Sequence, residues 1–148
     1  LPTLQEHLPL IDKPEGRGLM GASLGAVASL ATAIGYPGMF GRLLLQSGSF
    51  AFSDIGSHDR GPIFDPIAGM VNRYREAPEA VADRVFLSCG QYESLIYENR
   101  SLVPVLQGTG MRVHYVEARD GHNWENWRDR LREGLAFLFP GPVWWVYR

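Results

Sequence analysis

Arg17-Gly18-Leu19-Met20-Gly21-Ala22-Ser23-Leu24-Gly25-Ala26-Val27-Ala28-Ser29-Leu30 passes from a short apolar strand candidate, residues 17–21, through a tight turn at residues 21–25. It continues into residues 26–34, which are Ala-rich and apolar on most faces, as a buried helix is. Within this stretch Gly21-x-Ser23-x-Gly25 has the nucleophile-elbow pattern, in which a Ser occupies a strained strand-to-helix turn and small neighbours let the backbone pass close by. The bare pattern is weak in a chain with 17 Gly, but a strand directly before it and a helix directly after it supply the required context. The turn also puts Ser23 at a helix N-terminus, where the backbone N–H of Leu24 can donate to a developing oxyanion. The plainer alternative is a small turn residue.

The same alternation continues on both sides. Leu4, Leu8 and Ile11 have helical spacing, with Thr3 as N-cap and Glu6 as its capping-box partner, so a helix is predicted over residues 3–11. Residues 42–47, 84–89 and 112–117 are brief apolar runs that read as strands buried on both faces. Helical stretches fall at about residues 65–74 and 97–107, and a final helix at about 124–139. Strands alternating with helices predict an α/β fold: one domain over residues 1–148, with about four parallel strands, right-handed crossovers and an active site at the carboxyl edge of the sheet. Residues 51–66, rich in Gly, Ser and Asp, form the longest irregular stretch, placed where a substrate loop would follow a strand.

Composition narrows the function classes. The 148 residues are 45% hydrophobic and 20% charged, with a formal net charge of −2, so the chain has no basic field to attract nucleic acid or anionic lipid. No apolar stretch reaches the roughly 18 residues of a membrane span, and the first residues lack the basic and apolar regions of a signal peptide. A start at Leu1 without Met fits a processed or truncated product. The single Cys89 lies in an apolar run and reads as a buried, inert thiol.

A nucleophilic Ser needs a base. Of His7, His58, His114 and His122, only His122 follows the last strand and precedes the last helix, in Asp120-Gly121-His122-Asn123-Trp124, where the order Ser, acid, His would put it. His7 on the first helix and His114 inside a strand read as packing or surface residues, while His58 lies in the long loop. The acid should stand on a loop at the same sheet edge, to hold the imidazole by its Nδ1–H. Glu93, three residues beyond Gly90, meets that demand; Asp54 is a rival after the preceding strand. Glu98 falls a turn further into a helix, and Asp120 is too close to His122 in sequence to orient it easily.

Several blocks together resemble the enterochelin-esterase and esterase-D group of α/β-hydrolases, which includes feruloyl esterases and is related to the mycolyltransferases. Gly18-Leu19-Met20-Gly21-Ala22-Ser23-Leu24-Gly25-Ala26 looks like the group's nucleophile block, with Ala26 in place of the more usual Gly. Phe40-Gly41-Arg42-Leu43-Leu44-Leu45-Gln46-Ser47-Gly48-Ser49-Phe50 is similar to its next strand, and Gly121-His122-Asn123-Trp124-x-x-Trp127-Arg128 to its histidine block. The resemblance implies a partial α/β-hydrolase fold and a serine esterase working through an acyl-enzyme on Ser23, without metal or organic cofactor. It also points to Glu93 as the acid, because in the group the acid stands shortly after the Gly that ends the third of these strands. The group's earlier strands, and the loop giving its other oxyanion donor, have no counterpart here. The strand near residues 17–20 is therefore expected to be an exposed apolar edge, covered by a second copy in a homodimer or by a further N-terminal segment.

Phe50, Phe52, Trp124 and Trp127 flank the proposed catalytic loops, and Phe50 and Trp124 are the substrate-binding candidates of an apolar pocket for a small-molecule ester. Trp127 fits core or pocket equally, and Trp144 and Trp145 in the tail read as packing residues. Two other functions stay open: acyl transfer to an alcohol other than water, as in the mycolyltransferases, and a non-catalytic hydrolase-like interaction module.

Overall fold

The computed structural model describes residues 2–53 and 60–141. In chain order the helices and strands are α1 (Pro2–His7), β1 (Gly18–Ala22), α2 (Leu24–Gly35), β2 (Arg42–Gln46), α3 (Asp65–Glu76), β3 (Arg84–Gly90), α4 (Ile96–Gly108), β4 (Arg112–Ala118) and α5 (Trp124–Leu138). The strands form one sheet in the order β1-β2-β3-β4, and every neighbouring pair is parallel. Parallel neighbours need a crossover connection, and α2, α3 and α4 lie in the three that this sheet requires. The α/β arrangement expected from the sequence is the one observed.

Strand side chains alternate between the two faces of a sheet, and each face here has its own helices. Leu43 and Leu45 of β2 and Val85 and Leu87 of β3 pack with Ala26, Leu30 and Ala33 of α2, Val71 of α3, and Leu102 and Leu106 of α4. One residue out of phase, Leu44 and Phe86 pack with Leu131, Phe137 and Leu138 of α5. The two central strands are thus covered on both sides, which is why β2 is buried throughout and β3 nearly so.

Two expectations need correction. The strand at residues 112–117 was expected to be buried on both faces, but β4 is only half-buried along most of its length, because it is an outer strand with one neighbour. The first helix ends at His7 and not at residue 11. Leu8 precedes Pro9, and the proline ring disfavours the helical region for the residue before it.

Register fixes the site. Ala22 is level with Gln46, Gln46 with Ser88, and Gly90 with Ala118, so all four strands end at one edge. Ser23, Ser47, Glu93 and His122 all follow within a few residues of those ends.

Candidate active site

At the carboxyl end of β1 the chain turns sharply through Ser23, with φ 55° and ψ −119°, a conformation uncommon for any residue but Gly. Two features hold it there. The Ser23 N–H donates to the Gln46 carbonyl at 2.9 Å, and Gly21 lets α2 begin close against β1, since a Cβ on Gly21 would stand 2.2 Å from the Gly25 carbonyl group. The Ser23 hydroxyl makes no capping bond to α2. Leu24 is the first residue of that helix, a position whose N–H has no acceptor within the helix.

Glu93 follows β3 in a turn, and its side chain is completely buried. Its two oxygens have different surroundings. Oε1 accepts from the Gly90 N–H at 2.6 Å, the Ser47 hydroxyl at 2.7 Å and Asn126 Nδ2 at 3.1 Å. Oε2 lies 2.7 Å from His122 Nδ1. A buried carboxylate without such partners would be strongly destabilising, so this ring of donors is what lets the acid sit beneath the surface.

His122 lies between β4 and α5 with its side chain 39% exposed, its ring edge-on to Trp127 at 5.1 Å between centroids. The following Asn123 caps α5 by accepting from the Asn126 N–H at 2.9 Å, which fixes where the helix starts relative to His122. Asn126 in turn donates to the Gly121 carbonyl at 3.1 Å as well as to Glu93. Among the hydrogen bonds of the described residues none joins Ser23 to His122, whose Nε2 is left without a partner.

The remaining sequence candidates fall elsewhere. Phe50, expected to line a substrate pocket, is fully buried in the main core with Leu45 and Val85 and offers no surface to a ligand. Phe52 is also buried, with the Arg75 guanidinium 4.0 Å from its ring centroid. Trp124 opens α5 and is 64% exposed, two residues from His122. His114 is stacked between Phe86 and Phe137, with Nε2 3.0 Å from Glu133, and takes no part in the site. His7 ends α1, which carries no residue of this cluster. Asp54, the rival acid, together with His58, Trp144 and Trp145, lies outside the described residues. Glu98 is buried and faces Arg60, with Nη2 2.7 Å from its Oε1. Burial, followed by the nearby Glu93 charge, pushes the Cys89 thiol well above the usual thiol range, which fits an inert cysteine.

Sequence reasoning gave no role to Ser47 or Asn126, and left Trp127 between core and pocket. Nothing local marks Ser47, which reaches Glu93 across 46 residues of chain. Nothing local marks Asn126 either, whose side chain bonds Glu93 and the Gly121 carbonyl.

Residues 1–138 match the family model described as "Putative esterase". The chain belongs to this esterase family. Among curated relatives, the chain is 29% identical over 146 residues to the iron(III) enterobactin esterase of Dickeya dadantii, a match that covers 95% of the chain and 33% of the relative. It is 27% identical over 141 residues to the enterobactin esterase of Escherichia coli K12, covering 94% of the chain and 34% of the relative. The chain spans about a third of the length of the curated relatives it matches. Its fold is that of the enterochelin esterase of Shigella flexneri, with a TM-score of 0.76 at 23% identity over 95% of this chain and 34% of that one. A ferulic acid esterase superposes with a TM-score of 0.72 at 19% identity, over 93% and 56% of the respective chains.

Proposed function

We propose that the chain hydrolyses carboxylic esters through an acyl-enzyme on Ser23, with His122 as the base and Glu93 as the acid that orients it. The observation that carries this reading is the 2.7 Å contact between Glu93 and His122 Nδ1, made at the same sheet edge as a serine in strained elbow geometry. Membership of the esterase family supports it.

In the proposed reaction the Ser23 oxygen attacks the ester carbonyl while His122 Nε2 takes its proton, and the resulting imidazolium is stabilised by Glu93 through Nδ1–H. The Leu24 N–H donates to the oxyanion. Collapse of the tetrahedral intermediate expels the alcohol, which receives the proton from His122 and leaves the acyl group on Ser23. Water, deprotonated by the same imidazole, then attacks the acyl-enzyme, and the second tetrahedral intermediate collapses with the proton passing from His122 to the Ser23 oxygen, which releases the carboxylic acid and restores the free serine. Trp124, exposed beside His122, offers an apolar face to the substrate.

The test uses two probes on the 148-residue chain. An organophosphonate is expected to label Ser23, located by mass spectrometry, and Ser23→Ala is expected to abolish both labelling and turnover of a short-chain p-nitrophenyl ester. Unchanged turnover in the variant, or a wild-type chain that does not react, overturns the reading.

A second copy of the chain is proposed as the partner at β1. Three features support that reading: among the described residues no strand pairs with the outer side of β1, Met20 is 59% exposed, and Leu135 and Phe139 are exposed on the same part of the surface.

A further inference from the structure

One of the three donors to Glu93 Oε1, the Ser47 hydroxyl, is itself held by a residue outside the proposed triad. Ser47 follows β2, is fully buried and has φ 46°, uncommon for a residue that is not Gly. Its hydroxyl stands between two partners, Trp127 Nε1 at 2.9 Å and Glu93 Oε1 at 2.7 Å. The direction of both bonds follows from chemistry. An indole N–H can only donate, so Trp127 takes a lone pair of Ser47 Oγ; the single hydroxyl hydrogen is then left for Glu93.

Trp127 is itself held in place. Its backbone carbonyl accepts from Gln46 Nε2 at 2.8 Å, so the first turn of α5 is tied to the end of β2 by both the main chain and the side chain of one residue. Its indole also lies edge-on to His122 at 5.1 Å, so the same ring touches the imidazole directly and reaches the acid through Ser47.

The two oxygens of Glu93 explain what the arrangement does. A carboxylate can rotate about its last bond and present either oxygen. Three donors at Oε1 leave that oxygen no free lone pair, whereas Oε2 meets His122 Nδ1. Removing the Ser47 hydrogen leaves only Gly90 and Asn126 on Oε1, which lets the group turn more easily and loosens the bond that sets the His122 tautomer.

We propose that Trp127 and Ser47 form a positioning pair that fixes the rotation of the Glu93 carboxyl group and so keeps Oε2 on His122 Nδ1. The proposal rests on the reading of Glu93 and His122 as acid and base; neither Trp127 nor Ser47 touches the reacting atoms.

The test measures the dyad separately from turnover. The proton between His122 Nδ1 and Glu93 gives a low-field NMR signal, assigned by its loss in His122→Asn. In Ser47→Ala and in Trp127→Phe this signal is expected to move upfield or to broaden by exchange. For Ser47→Ala the kcat for a p-nitrophenyl ester is expected to fall roughly ten- to hundredfold with KM unchanged, the loss expected when a hydrogen bond to a charged group is removed, and for Trp127→Phe, which loses a neutral hydrogen bond, roughly two- to tenfold. Trp127→Phe keeps an aromatic ring at this position while losing the N–H along with part of the ring, and it leaves the Ser47 hydroxyl in place, so it decides the matter if Ser47→Ala weakens the fold. A signal unmoved in the folded variant, a loss confined to melting temperature, or no such signal in the wild-type chain overturns the pair. A chain that shows the signal and its expected changes but neither labels at Ser23 nor turns over an ester keeps the positioning pair and sinks the esterase reading.

Discussion

Gly90 ends β3 directly beneath the acid, where no larger residue fits: a Cβ there would stand 2.2 Å from the Asp120 carbonyl oxygen and 2.7 Å from Glu93 Oε1. One of those atoms is backbone of the loop that carries His122, and the other is the oxygen held by three donors, so Gly90→Ala displaces both Glu93 and the His122 loop. Overpacking of this kind costs about 1–3 kcal/mol. Turnover is expected to fall further than stability does, because the displaced atoms are those of the dyad. Thermal melts and esterase assays on this variant check it; a variant that melts like the wild type and retains its rate contradicts the close packing. Ser23, like Ser47, has a costly backbone, and its conformation stores on the order of 1–3 kcal/mol. The strain keeps the hydroxyl outside the capping role that a helix-start serine would otherwise adopt.

At the scale of elements, the first turn of α4 braces the loop after β2. Asn99 donates from Nδ2 to the Gly48 carbonyl at 2.9 Å and accepts the Gly48 N–H at 3.1 Å, fixing the residue next to Ser47 on both sides. Its neighbour Glu98 is fully buried, and its contact with Arg60 is an ion pair without the angle of a directed hydrogen bond. Burial pushes the Glu98 carboxyl above the usual carboxylate range, and the Arg60 charge offsets this only in part. A carboxyl whose pKa is higher in the folded state contributes most to stability below its unfolded value, about 4.3 for Glu, and loses that contribution as pH rises through the folded value. Glu98→Gln cannot ionise and escapes the loss. The melting temperature of Glu98→Gln relative to wild type is therefore expected to rise between about pH 4 and pH 7. A difference that is constant or falls over that range means that the Arg60 pair outweighs burial.

For the whole molecule, the sheet has two outer strands with different surroundings. β4 carries Arg112 and Glu117, each in an ion pair, and charged side chains suit an outer strand. β1 has only Gly, Leu, Met and Ala. An apolar, unpaired strand is a template for association, so the proposed homodimer is expected to appear in sedimentation velocity as a concentration-dependent species of twice the chain mass. Met20→Lys is expected to shift that equilibrium toward monomer without lowering the melting temperature of the monomer. A wild-type chain that sediments as a monomer at every concentration removes the second copy from this edge.

Local pattern was enough to read much of this protein. The strand-turn-helix around Ser23 and the alternation of apolar runs with helices were legible because strands and helices impose their periods on neighbouring residues. The loops carrying Glu93 and His122 were legible because a parallel sheet puts every strand end on one edge. Only the tertiary structure decided what surrounds them. It sent Phe50 into the core and left β4 half-covered, and it brought Ser47, Asn126 and Trp127 around one carboxylate from positions 46, 33 and, for the Ser47–Trp127 bond, 80 residues apart. Contacts over such distances depend on which strands lie side by side and on how a helix docks across them, and no period along the chain encodes either.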